Sequence, residues 1–179
     1  PAAPVLLERD WRQFLVKVHN QAGVTANLAV SKPDDASHEW LEARIHTQWP
    51  MQSGLSGVEI DYQLIQLYSY EAGKRAAVLS FDVGQGTQDL GFRSDVTMTF
   101  DVLPTHRMNL GVRDDKGEPT IAAFTARDEQ GRTYPSQVDR MAPDFAFHPQ
   151  VYRADGQFIR LPSGEFEVHV SRGPESLPQ

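Results

Sequence analysis

The sequence contains no cysteine, which excludes disulfide bonds, thiolate metal sites and a cysteine nucleophile. It also contains no apolar run of about 18 residues, the length that a membrane-spanning helix needs, so we expect no membrane span. Positive charge is scarce, because 17 lysine and arginine residues stand against 24 aspartate and glutamate residues, for a net charge of −7. This charge opposes binding to a phosphate backbone, so we expect no nucleic-acid partner.

Motifs of catalysis are also missing. There is no GxSxG nucleophile elbow, and no pair of histidines has the HxH, HxxxH or HExxH spacing of a local metal site. A metal site would need ligands from distant segments, and the sequence alone does not reveal such convergence. We therefore predict no catalytic residue, no metal ligand and no cofactor, and we interpret the six histidines as structural or surface residues: His19, His38, His46, His106, His148 and His169.

Apolar and polar residues alternate along most of the chain. A period of two is typical of half-buried strands. The pattern predicts strands at residues 11–19, 24–30, 58–70, 76–83, 95–103, 106–112, 121–127, 157–161 and 165–171. Short strands separated by glycine and proline turns favour an all-β fold of two packed β-sandwiches, with no helix required.

One segment is ambiguous. Ser37 could cap a helix that starts at His38, with Leu41 and Ile45 spaced four residues apart. The same stretch also alternates, and the surrounding rhythm favours a strand over residues 39–47.

The best domain boundary is at Pro104, after which the alternation starts again. We predict an N-terminal sandwich at 1–104, a second sandwich at 105–175, and a tail or linker to a following domain at 176–179. The opening PAAP resembles the remainder after cleavage of a signal peptide at small residues, or simply an arbitrary start.

Several turns could be read as binding loops. The segment GQGTQDLG, with Gly84, Gly86 and Gly91, has the glycine content of a phosphate cradle but no following Lys-Ser/Thr, so we predict a hairpin loop. The acidic turns at 113–118 and 128–131 lack the DxDxDG spacing of a calcium loop, so we predict solvated hairpins. We expect Gly117, Pro162 and Gly164 to be structural turn residues.

A long loop, residues 132–155, is rich in aromatic side chains. It could form a sugar-stacking platform or an interdomain contact, or it could be a small core that covers one end of a sandwich. The candidate ligand or interdomain contacts are Trp40, Trp49, Tyr134, Phe145, Phe147, His148 and Tyr152.

The segments VRDDKGEPTIAAFTARDEQGRTYP and GQFIRLPSGEFEVHV carry a resemblance. Residues 106–171 resemble the carboxypeptidase regulatory-like domain, a transthyretin-like β-sandwich with a D-x-G-x-P turn and a late G-x-F-x-L-P-x-G-x-Y/F-x-V hairpin. The match falls on Asp115, Gly117, Pro119, Gly156, Phe158, Leu161, Pro162, Gly164, Phe166 and Val168. The resemblance implies turn roles for the glycines and core roles for the apolar positions.

A wider region, residues 58–175, resembles the β-rich part that precedes the catalytic domain in CehA/McbA-type metallohydrolases. The likeness is carried by APDF, FHPQVYRADG and the ending SRGPE, after which the family often has tyrosine where this chain has Ser176. A transthyretin-fold hydrolase of hydroxyisourate is excluded, because its Y-R-G-S ending is absent.

The resemblance implies an accessory region of a larger bacterial enzyme that is exported to the periplasm or secreted. The partner would be a C-terminal, PHP-like catalytic domain of the same polypeptide, whose metal ligands would follow Gln179. On this reading the chain alone is not an enzyme. The alternative is a carbohydrate or cell-surface polymer binding module that uses the aromatic loop 134–152, and a self-contained hydrolase is a third hypothesis.

Overall fold

The structure is a computed structural model that describes residues 3–21, 23–33, 35–47, 54–83, 93–138, 140, 142–145 and 148–173. The predicted Gly84–Gly91 hairpin loop and the candidate residues Trp49 and Phe147 lie outside the described residues. The fold is all-β, as predicted, with several packed sheets consistent with a β-sandwich. The chain divides into two compact units, Pro1–Leu103 and Pro104–Gln179.

Unit 1 is built from two sheets. A four-stranded sheet has the order β1-β7-β6-β3, and a three-stranded sheet has the order β2-β5-β4. The elements are β1 (Val5–Leu7), β2 (Trp11–His19), β3 (Ala29–Ser31), α1 (Asp35–Trp40), β4 (Leu41–Ile45), β5 (Ile60–Ser69), β6 (Gly73–Asp82) and β7 (Arg93–Leu103).

Alternate residues of both sheets in unit 1 supply one core. Leu41, Ile65 and Leu67 come from the three-stranded sheet, and Leu79 and Phe100 come from the four-stranded sheet. All five are at most 2% exposed. The opposite residues of each strand therefore lie on the outer faces, as strand geometry requires.

Unit 2 also contains two sheets. Strand β9 is central in the larger sheet, where β13 pairs along one side and β10 and β11 pair along the other; the smaller sheet is β12-β8. The strands are β8 (Thr105–Asn109), β9 (Ile121–Asp128), β10 (Thr133–Tyr134), β11 (Val151–Ala154), β12 (Phe158–Pro162) and β13 (Phe166–Ser171). Ala122, Phe124 and Ala126 of β9 are buried, together with Ile159 and Leu161 of β12.

The expectation that no helix is needed was wrong for residues 35–40. Helix α1 precedes β4, so the ambiguous segment contains both predicted structures in succession. The helical turn places Ser37 and Trp40 three residues apart on one face, and both side chains are buried. In the described residues, no helix is long and apolar enough to cross a bilayer.

Two predicted boundaries also need correction. The strand expected at 24–30 is confined to Ala29–Ser31, preceded by an isolated bridge between Asn27 and Gly54. The predicted loop at 132–155 begins and ends in strands, because β10 and β11 both pair with β9.

Two predicted pairings were wrong as well. The strand before the 114–117 turn does not form a long hairpin with β9, since β8 pairs with β12 along five residues. The late motif is likewise not a hairpin, because β12 pairs with β8 whereas β13 pairs with β9. The Pro162-Ser163-Gly164 turn therefore carries the chain from one sheet to the other.

Candidate functional site

The predicted aromatic residues do not form one surface. Trp40 is 4% exposed in the core of unit 1, where its ring meets the edge of Phe100 at 6.0 Å. Tyr134 is 3% exposed in unit 2, where its ring meets Phe166 at 5.3 Å. Both side chains stabilise a core, so neither reaches a ligand at the surface.

The rest of the aromatic loop is held by polar contacts. The Arg140 guanidinium donates to the backbone carbonyls of Pro135, Ser136, His148 and Gln150. Such a fan of hydrogen bonds uses the fixed geometry of the guanidinium group. Arg140 therefore connects the start of the loop, at Pro135 and Ser136, to its end, at His148 and Gln150.

Asp144 is a second anchor of the same loop. Its carboxylate accepts hydrogen bonds from the backbone N–H of Tyr152 at 2.6 Å and from the Arg153 guanidinium at 2.7 Å. Phe145 is 49% exposed and contacts the ring of His148 at 6.1 Å. Tyr152 lines a groove on the outer side of β11.

A different aromatic surface lies on the outer side of β2, β5 and β4. We call this surface the aromatic face and define it by Trp11, Leu15, Arg44, Tyr62 and Tyr68. Trp11 and Tyr68 are register partners in neighbouring strands, with ring centroids 5.3 Å apart. The Arg44 guanidinium lies 4.0 Å from the centre of the Trp11 ring, within range of a cation–π interaction.

The polar neighbours fix Arg44 in this position. Its Nε donates to Oε1 of Gln66 at 2.7 Å, and the amide nitrogen of Gln66 lies 3.0 Å from Nδ1 of His46. Gln66 is only 5% exposed although it lies on the outer side of β5. The stack of Trp11, Arg44, Gln66 and His46 is therefore an ordered surface in which the described side chains hold one another.

Tyr70 extends the aromatic face beyond the end of β5. Its ring packs edge-on against Tyr68 at 4.9 Å, and its hydroxyl donates to the Glu42 carboxylate. That hydrogen bond is the main reason why the pKa of Tyr70 is raised. The bond uses the phenol proton, so it favours the neutral form of Tyr70 over the phenolate.

The sequence contained a signal for this surface that we did not use. Positions 62 and 68 have the same parity in the strongest predicted strand, so two tyrosines had to share one side of it. Trp11 opens the first predicted strand, with Leu15 on the same side. The predicted binding surface was instead placed in the loop where aromatic residues are adjacent in sequence. The exposed aromatic surface is formed by residues of the strands.

The acidic turns use their carboxylates internally. Oδ1 of Asp114 accepts from the backbone N–H groups of Lys116 and Glu118, and Oδ1 of Asp128 accepts from those of Gln130 and Arg132. These bonds are those of Asx-type turns, in which an aspartate side chain accepts from the backbone a few residues later. Within the described ranges, no group of three or more histidine, aspartate or glutamate residues could hold a metal ion.

The comparisons with known proteins leave the chain without an assigned family. No protein-family model matches the sequence. No curated protein matches it either.

Proposed function

We propose that the chain is a non-catalytic accessory region of a larger exported metallohydrolase, and that it stabilises or positions the catalytic domain of the same polypeptide. The resemblance of residues 58–175 to the β-rich part of CehA/McbA-type enzymes motivates the enzyme class. The aromatic face is the single structural observation that supports a docking role.

The composition of the aromatic face is that of a protein interface. Tryptophan, tyrosine and arginine are enriched at the centres of protein interfaces and contribute most of their binding energy. Leu15 is 63% exposed and Tyr62 is 50% exposed beside the ordered stack. Exposed apolar side chains grouped in this way mark an interaction surface.

The geometry favours a folded domain over a sugar as the occupant of the aromatic face. A pyranose ring needs an open aromatic ring face on which to stack, yet Arg44 covers one side of Trp11. Tyr68 is flanked by Trp11 on one side and by the edge-on contact with Tyr70 on the other. The side chains of a partner domain can instead pack into the uneven surface of the aromatic face. Because the side chains of this face already hold one another in place, less conformational entropy is lost on docking.

Hydroxyl-radical footprinting with mass spectrometry tests this assignment. The oxidation rates of Tyr62 and Tyr70 would be compared between the 179-residue chain and the natural polypeptide that contains the catalytic domain. Both tyrosines are expected to be protected in the longer protein, whereas Met108, which is 49% exposed in unit 2, serves as the reference side chain. Equal oxidation of the two tyrosines in both proteins would contradict docking at the aromatic face.

A further inference from the structure

A groove of about 750 Å³ crosses the outer side of the larger sheet in unit 2. Its floor is Ala123 and Thr125, which alternate along β9 with the buried Ala122, Phe124 and Ala126. Larger side chains rise on both sides, with Tyr152 from β11 and His169 from β13. The surface is concave because small residues lie on the central strand between larger residues on its neighbours, and this volume is that of a small-ligand site.

The strand register arranges the groove as two rows of side chains. In one row, Ala123 is the partner of both Tyr152 and Ser171. In the other row, Thr125 is the partner of His169, and Gln150 lies on its other side because the next residue, Val151, is the partner of Phe124. Each row therefore combines short floor residues with hydrogen-bonding side chains.

Three polar side chains of these rows remain available for a ligand, whereas Oγ of Ser171 accepts a hydrogen bond from the backbone N–H of Gly173 at 3.2 Å. Within the described part of the chain, no hydrogen bond engages the side chains of Thr125, Gln150 or Tyr152. The backbone N–H of Tyr152 donates to the Asp144 carboxylate, which anchors the strand from which its ring extends. An aromatic ring beside unused amide and hydroxyl groups suits a ligand that has both a carbon face and many hydroxyl groups.

The charges around the groove favour a neutral ligand. None of the described residues that line it is an aspartate or a glutamate. Its two basic side chains already have acidic neighbours, since His169 lies 3.2 Å from Glu167 and Arg172 lies 3.9 Å from Asp115. With these counter-charges in place, the groove has no strong preference for an anion.

We propose that this groove binds a neutral saccharide whose ring packs against Tyr152 while its hydroxyl groups bond to the polar side chains of the two rows. The sequence directed attention to Tyr152 as part of an aromatic loop, but the site is a sheet face to which β9 and β13 contribute most of the polar groups. This inference does not rest on the docking role of unit 1.

The test uses the 179-residue chain and four neutral probes: cellohexaose, chitohexaose, maltohexaose and xylohexaose. Isothermal titration is expected to show that at least one probe binds at millimolar concentration or below. In an NMR titration with that probe, the ring resonances of Tyr152 are expected to shift while those of Tyr62 in unit 1 stay constant. Binding of none of the probes, or a response of Tyr62 alone, would overturn the proposal.

One variant and a matched control locate the site. Ala123→Gln places a larger side chain on the floor of the groove. It is expected to raise the dissociation constant of the probe by at least about tenfold. Thr133→Gln adds a similar side chain near Arg127, beyond the groove, and is expected to leave binding within about twofold of the parent. Unchanged affinity of a folded Ala123→Gln protein would refute the site.

A second variant tests the site if Ala123→Gln fails to fold. His169→Ala removes one hydrogen-bonding group without adding bulk, from a position that is 55% exposed. We expect it to fold and to weaken binding several-fold, on the scale of one lost hydrogen bond. Full affinity in this folded variant would contradict the proposal.

Discussion

At the scale of single residues, Asp114 and Asp128 show how one side chain can define a turn. Each backbone carbonyl accepts from the N–H of the glycine three residues later, at 3.0 Å for Gly117 and 2.9 Å for Gly131. Both glycines have positive φ, +83° and +76°, where a side chain would be strained. Asp115, which matches the family motif, lies outside this network and is 83% exposed.

Asp128 has a second role as the acceptor of Arg132 and Tyr134. Burial opposes ionisation of its carboxyl group, but the hydrogen bonds from Arg132 and Tyr134 outweigh that effect and lower its pKa. A carboxyl group with a lowered pKa stabilises the folded protein above its unfolded pKa of about 4, and the contribution disappears as the pH falls through the folded pKa.

We therefore predict a pH-dependent effect of Asp128→Asn. Asparagine keeps the turn acceptor but loses the charge, so the variant should be less stable by about 0.5–1 kcal/mol at pH 7, the scale of a partly exposed ion pair. Urea unfolding from pH 7 to pH 2 measures this difference. The two proteins should converge below about pH 4, and a constant difference at every pH would contradict the ionic role.

Arg140 gives a prediction about the aromatic loop. Arg140→Lys keeps the charge but cannot reach four carbonyls with one ammonium group, so we expect a loss of about 1–3 kcal/mol in the free energy of unfolding. Arg127→Lys is the matched control, because Arg127 is an exposed arginine on β9. Equal urea midpoints for the two variants would show that the Arg140 contacts contribute nothing.

At the scale of elements, the turn between β12 and β13 joins two sheets. Pro162 is the last residue of β12 and pairs with Thr105, whereas Phe166 begins β13 opposite Asp128. Gly164 has φ of +153°, a conformation that residues with a side chain rarely adopt. The backbone conformation of residue 164, rather than a lack of space for a side chain, therefore requires glycine.

We predict that Gly164→Val destabilises the protein by about 1–2 kcal/mol or more through backbone strain. A Cβ atom at position 164 would meet only the Phe166 ring at 3.7 Å, so a clash is not the cause. Gly111→Val is the control, since Gly111 has open space within 4 Å and no positive φ. A thermal midpoint of Gly164→Val equal to that of the parent would refute the strain.

The strands show what could be predicted from the sequence. Alternation located β5 within two residues of its ends, since residues 58–70 were predicted and Ile60–Ser69 is observed. In β7, Phe100 and Val102 are both buried, as residues two apart on a strand share one face. The partners of β8, β12 and β13 were missed, because a period of two defines the faces of a strand and says nothing about which distant strand pairs with it.

At the scale of the whole molecule, the two candidate surfaces depend on those distant pairings. The aromatic face combines residues near positions 11, 44 and 68, and the groove combines β9 with β11 and β13. The loop aromatics were adjacent in sequence, so they were easy to select, but Tyr134 is buried with the core. The alternation along each strand could have assigned each residue to one face of its strand. Only the order of the strands in the sheets reveals which residues of different strands become neighbours.

A charge on the aromatic face should separate docking from folding. Leu15→Glu places a carboxylate at a site that is 63% exposed, so the 179-residue chain should keep its stability within about 0.5 kcal/mol. If a longer polypeptide carries the proposed catalytic domain, the buried charge should lower the thermal stability of that domain. Ile121→Glu, at a position 59% exposed in unit 2, is the control, and equal effects of both variants in the longer protein would contradict the role of the face.

We propose that this chain assists a hydrolase without being one. The most direct measurement is the bound metal and the phosphoester and carboxyl-ester hydrolysis of the 179-residue chain, compared with the natural polypeptide that contains it. We predict metal and turnover in the longer protein alone. Stoichiometric metal and turnover in the 179 residues by themselves would contradict the claim.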